Sequence, residues 1–197
     1  MSAPVSRRGP SKGDLKQEAL LETAEKLLAA KPLAEIGIEE LARGAGISRS
    51  SFYFYFESRQ AMLLALLSRA SDNLITQVEC WLEPQSDARQ SVRQSIELAV
   101  KMWDEHGAVL LAAQNPDAPA EAQAFMADLT GRLVAATEEM IDGSRATGAA
   151  PAGPPSARSL ATMLVGMTEH AISHSSEEPE LVDTLTSIWQ RAIFAGD

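Results

Sequence analysis

Ala45-Gly-Ile-Ser-Arg-Ser-Ser-Phe-Tyr-Phe-Tyr-Phe-Glu-Ser-Arg-Gln-Ala-Met-Leu63 is the stretch on which the reading of this chain turns. Ser48 and Ser58 are both residues whose hydroxyls satisfy the free amides of a helix start. The segment between them is too short for anything but a brief, aromatic helix. Before it, Gly37-Ile-Glu-Glu-Leu-Ala-Arg-Gly44 sets Ile38, Leu41 and Ala42 on one face of another short helix, and Ala45 and Gly46 follow as a tight turn. Two short helices joined by such a turn form a brace, with Ile47 and Phe52 sealing the second helix against the first. That geometry holds side chains near the start of a recognition helix where they can meet base edges in a major groove. Ser48 is the expected cap. Arg49, Ser50 and Ser51 occupy the exposed first turn, where short hydroxyls suit phosphate oxygens and a guanidinium can pair with guanine O6 and N7. Arg49 is the expected base reader.

Outward from this motif the apolar spacing is helical throughout, and no period-two alternation of β-branched residues occurs. The fold class is therefore all-α. Residues 1–13 hold Pro4, Gly9, Pro10, Arg7, Arg8 and Lys12 without apolar periodicity, which predicts a flexible basic arm. Arg7, Arg8, Lys12 and Lys16 can enter a minor groove or stay solvated, and the sequence does not choose. A first helix is expected over about 14–30, closed by Lys31-Pro32. A long one follows Ser58 to about Leu82, ahead of Pro84, and a fifth spans about 87–105, with Gly107 closing it and a brief sixth over 108–114. Further helices are expected over about 117–144, 156–174 and 180–194, with an exposed proline-rich loop at 146–155. The implied division is an arm (1–13), a helix-turn-helix DNA-binding domain (14–57) and a helical domain (58–197).

A net charge of −10 argues against a nucleic-acid partner, but the charge is unevenly placed. Residues 1–60 carry nine Lys/Arg and eight Asp/Glu, whereas residues 61–197 carry eight against nineteen. The N-terminal module is thus free of the acidic body's excess. A single cysteine, Cys80, excludes an intramolecular disulfide, and the arginine-containing start has no signal-peptide pattern, so a cytoplasmic setting is expected. The longest apolar run, Ala61–Leu67, is seven residues, far short of the roughly 20 that span a bilayer, and no membrane partner is expected.

The 45–63 string, preceded by Leu-Ala-x-Gly-Ala-Gly-Ile-Ser, resembles the TetR family of regulators. The Phe-Tyr-Phe-Tyr-Phe run and Trp189 make it most similar to the EthR branch, strongly over about 15–70 and mainly in helix layout beyond. The resemblance implies about nine helices in an Ω-shaped homodimer. Its first three helices would bind double-stranded operator DNA, its last two would form the dimer interface, and a small hydrophobic effector would release it. By position, Tyr53 and Tyr55 would touch the DNA backbone, Phe52 and Phe56 would be core, Ser58 would cap helix four, and Arg59 would meet phosphate. Gly37 stands where many relatives have Ser or Thr, removing a side-chain cap and a possible phosphate contact. Glu57, beside Ser58 and Arg59, is a further departure that weakens an anion site unless it points away.

The C-terminal region is rich in large adaptable apolar groups, and the resemblance implies that they surround a cavity. Met102, Trp103, Phe125, Met126, Met140, Met163, Met167 and Trp189 are the candidate ligand residues, against the alternative that each simply fills the core. Trp103 matches a cavity-facing aromatic of the EthR branch, while Val165 and Thr168 replace polar amides there. His170 and His174 have metal-compatible spacing but no third ligand, and a solvated helix end is the expectation. No nucleophile elbow, phosphate loop or activated cysteine is present, so neither catalysis nor a cofactor is expected. The functional alternatives are a relative of the same fold acting mainly through protein contacts, or a small-molecule-processing enzyme that keeps the helix-turn-helix as a relic.

Overall fold

The computed structural model describes residues 11–80, 87–175 and 178–194, with the backbone alone for 73–80. These residues form eight α-helices and one 3-10 turn, with no strand among them. The helices are α1 (Lys12–Leu28), α2 (Ile38–Gly44), α3 (Arg49–Tyr55), α4 (Arg59–Cys80), α5 (Ala88–Gln114), α6 (Ala120–Ala146), α7 (Ala157–Ser175) and α8 (Leu181–Phe194), and the 3-10 turn is Leu33–Glu35. None of them is long and apolar enough to cross a membrane. Arg7, Arg8, Pro84 and the Cys80 side chain lie outside the described residues.

Two differences from the sequence reading have local causes. Helix α1 begins earlier than expected because Ser11 and Asp14 form a capping box: the Ser11 amide donates to Asp14 Oδ2 at 2.8 Å and the Asp14 amide to Ser11 Oγ at 3.2 Å. Lys12 therefore sits in the first helical turn. The predicted fifth and sixth helices are one continuous helix, α5, which runs through Gly107. A Cβ at Gly107 would lie 3.3 Å from Trp103 Nε1, so the bare Cα accommodates an indole one turn back and ends nothing. Among the described residues the count is eight instead of about nine for this reason.

Contacts divide the chain into two compact units, Met1–Leu66 and Leu67–Asp197. In the first, α2 packs on both α1 and α3. Leu20, Ala24, Ile36, Leu41 and Phe52 are completely buried there. Gly44 lets α2 approach α1, since a Cβ at that position would clash with the Thr23 methyl. In the second unit α5 touches α6, α7 and α8, and α7 lies on α6 and α8. Its core includes Val92, Ile96, Ile141, Leu164, Leu185, Trp189 and Ile193. Arg93 links α5 to α8 through Asp183 at 2.8 Å, a bond that raises its affinity for its proton, while Glu97 adds a second partner at 2.9 Å. The predicted exposed loop before α7 is largely exposed, but Ala150 is buried and Arg145 Nη2 donates to the Pro155 carbonyl at 2.7 Å.

Candidate nucleic-acid interface and ligand cavity

The turn between α2 and α3 closes α2 by a paired hydrogen-bond pattern. The Ile47 amide donates to the Ala42 carbonyl at 2.9 Å and the Gly46 amide to the Arg43 carbonyl at 3.1 Å, with Gly46 at φ +63°. This is the Schellman arrangement, and its left-handed residue is the one place in the turn that requires glycine. Lys16 Nζ reaches the Ala45 and Gly46 carbonyls at 3.4 Å each. It thus faces the C-terminal end of α2 while remaining exposed.

Ser48 caps α3, accepting from the Ser51 amide at 3.1 Å, and its hydroxyl lies 2.8 Å from both the Ser50 and Ser51 hydroxyls. Below the helix, Phe52 is fully buried and Phe56 nearly so, their rings 6.0 Å apart. Tyr53 meets the edge of Phe52 at 5.6 Å while remaining 49% exposed. Arg49, Ser50, Tyr53 and Phe54 are all exposed. Their spacing pairs Arg49 with Tyr53 and Ser50 with Phe54 one turn apart, so the four form one outward face. Phe54, 88% exposed, is the residue that sequence reading left unassigned. The signal was available: Phe54 lies one turn beyond outward-facing Ser50, not on the face of Phe52 and Phe56. Ser51 and Tyr55 are half-buried and belong to the edge of this face.

Gly37 is exposed and caps α2 without a side-chain bond. Ser58 accepts from the Ala61 amide at 3.0 Å, as expected of a cap for α4. Arg59 has partners that the sequence reading did not foresee. Its Nη1 donates to the carbonyls of Leu33 and Ala34 at 3.0 Å and of Ile36 at 2.6 Å, tying the start of α4 to the 3-10 turn. This nitrogen acts as a structural clamp, and Nε and Nη2 take no part in it. Lys31 bonds Glu40 at 2.7 Å, and this bond holds the Glu40 carboxyl below the usual carboxylate range.

The second unit contains a cavity of about 90 Å³ bounded by α5, α6, α7 and α8. Met102, Trp103, Met126 and Trp189 line it, together with Ile96, Leu129, Leu133, Val165 and Ile172 among others. Four of the candidate ligand residues do not line it. Met140 is core at 6% exposure, Met167 packs against the core edge, Phe125 is half-buried elsewhere on α6, and Met163 is 71% exposed on α7. Helical spacing identified an apolar stripe but not which of its members faces the void. Sequence reasoning also missed the polar lining groups Ser95, Gln114, Thr137 and Glu169. Trp189 Nε1 donates to Thr168 Oγ1 at 2.8 Å, a bond between buried groups that sets the indole plane. His170 and His174 stack with ring centroids 4.2 Å apart at an exposed helix end. Among the described residues no cluster of three metal-ligating side chains occurs.

Comparison with known proteins accords with both halves of this arrangement. Residues 20–66 match the family of bacterial regulatory proteins of the tetR type, and residues 92–195 match the C-terminal domain of the transcriptional regulator EthR. The HTH-type transcriptional regulator EthR of Mycobacterium tuberculosis (strain H37Rv) is 38% identical, over 98% of this chain and 94% of its own length. EthR of Mycolicibacterium smegmatis is 37% identical over 97% and 92%. Among solved structures, the regulator FadR from Bacillus subtilis in complex with stearoyl-CoA superposes with a TM-score of 0.73 at 12% identity, covering 91% of this chain and 99% of that one, a likeness of fold alone. The chain belongs to the TetR family of transcriptional regulators, with an EthR-type C-terminal domain, and is a DNA-binding regulator, not an enzyme.

Proposed function

We propose that this regulator is a cytoplasmic homodimeric repressor that binds a palindromic operator through α2 and α3 and leaves it when a small hydrophobic effector occupies the cavity. The exposed face of Arg49, Ser50, Tyr53 and Phe54, anchored by buried Phe52 and Phe56, is the observation that carries the reading. Leaving a phenylalanine and a tyrosine in water on a short helix forgoes burial that is worth about 1.5–3 kcal/mol for a large apolar side chain, so an external partner is expected to cover them. Arg49 reads a base, Ser48, Ser50 and Tyr53 approach the backbone, and Ser51, Tyr55, Ser58 and Gly37 border the contact. Dimerisation through α7 and α8 is supported by Met163 at 71% and Ile188 at 40% exposure, both apolar and both on these helices. The effector reading is supported by the mainly apolar lining and by a solved structure of the same fold, FadR from Bacillus subtilis, in complex with stearoyl-CoA.

Selecting genomic fragments bound by the purified protein tests this. The expected product is an inverted repeat whose half-sites are separated by about 34 Å or a multiple of it, with affinity that falls steeply as salt rises. Absence of enrichment, or binding indifferent to salt, overturns it.

A further inference from the structure

We propose that the cavity selects an effector joining a compact apolar body to a hydrogen-bond-donating, preferably cationic, head group, with Glu169 as its counter-charge. This rests on reading the cavity as the effector site.

Among the described lining residues Glu169 is the one that ionises. It is half-buried on α7, and its Oε1 accepts from Thr130 Oγ1 of α6 at 2.7 Å, which fixes the orientation of the carboxylate. Oε2 keeps its acceptor capacity, and no basic side chain stands among the described lining residues to neutralise the charge. The neighbouring hydroxyls reinforce the same polarity. Ser95 Oγ donates to the Ser91 carbonyl at 2.8 Å and Thr137 Oγ1 to the Leu133 carbonyl at 2.8 Å. A hydroxyl has one proton to give, so both offer only lone pairs to the cavity. Three polar groups of the lining are thus acceptors, while Gln114 and Thr168 keep neutral donors, so the one formal charge, on Glu169, sets the balance. A carboxylate or carbonyl head would face like polarity in a partly desolvated site, whereas an ammonium would form a charge-assisted bond. By this logic the site disfavours the anionic head of a fatty acid.

Size adds a second limit. At about 90 Å³ the void is smaller than the roughly 150 Å³ cavity known to admit benzene, so a phenyl-sized body enters only as flexible lining side chains such as Met102 and Met126 change rotamer.

The test uses the full-length protein and three matched probes: phenethylamine, phenethyl alcohol and phenylacetate, titrated calorimetrically at neutral pH. The amine is expected to bind about tenfold tighter than the alcohol, and phenylacetate weakest. In Glu169→Gln, which keeps an oxygen for Thr130, the amine's advantage over the alcohol should shrink to within about threefold. The ranking of the three probes on the unaltered protein decides the question even if that variant fails to fold. Equal affinities for amine and alcohol overturn the head-group assignment and leave the cavity reading standing. Binding by none of the three overturns both.

Discussion

Replacing Arg59 with methionine keeps the aliphatic stem and removes every donor, which isolates the clamp at the start of α4. Three carbonyls lose a partner, those of Leu33, Ala34 and Ile36. Hydrogen bonds to a charged group contribute about 1.5–3 kcal/mol each when well buried, but this side chain is half-exposed and water refills part of the gap. The Leu33 carbonyl also retains the Ile36 amide at 3.2 Å. A total near 2 kcal/mol follows. At about 2–4 °C per kcal/mol for a chain of this size, the melting midpoint should fall by about 4–8 °C. A phosphate-binding arginine behaves otherwise: its loss leaves the melting point in place and lowers the slope of log affinity against log salt by about 0.9. Thermal melts and operator titrations across a salt series, run on the same variant, separate the two. An unshifted midpoint with a reduced salt slope would refute the clamp and restore the phosphate role.

Phe54→Ser should leave fold stability within about 0.5 kcal/mol, since the ring is 88% exposed, yet weaken operator binding by about 1.5–3 kcal/mol in a fluorescence titration. Unaltered operator affinity would remove Phe54 from the interface. Gly46→Ala forces a side chain into φ +63° and should cost about 1–2 kcal/mol in denaturant unfolding, whereas the same change at Gly37, where φ is −83° and no atom lies within 4 Å of the new Cβ, should cost less, through alanine's weaker capping of α2 alone. Lys31 holds the Glu40 carboxyl low, so that pair's contribution is present above the ordinary carboxylate range and lost as pH falls through the folded value. In Lys31→Met the Glu40 titration followed by NMR should move upward, and the acid limb of the stability curve should flatten; a stationary Glu40 midpoint contradicts the pairing.

The helices were legible because most of their signals are local. Ser48 and Ser58 announced two caps, and Gly46 announced a turn, since each acts on amides or a dihedral within a few residues of itself. The same locality misled at Gly107. Glycine before a new apolar segment reads as a stop, and only the position of Trp103 one turn away shows that the bare Cα makes room for a ring. Arg59 hid its structural partners in the complementary way. Its residue type fits phosphate and carbonyl equally, and its carbonyl partners come from the 3-10 turn more than twenty residues earlier, where three of them converge.

Methionine placement shows a deeper limit and also where information lies. Met126, Met140 and Met163 each sit on an apolar helical stripe, yet one lines a void, one is core and one faces outward. A stripe specifies that an apolar surface is needed; it does not specify what covers it, because core, ligand and a second chain all reward the same transfer from water. Residues that contradict their surroundings discriminate better. Phe54 is a large ring left in water and Glu169 is a carboxylate on the wall of a mainly apolar cavity. Violations of local consistency concentrate where a molecule outside the fold completes the environment. A duplex would cover the first and a donor head group would neutralise the second, so these two side chains, more than the stripes that obey the rules, carry the functional content of the chain.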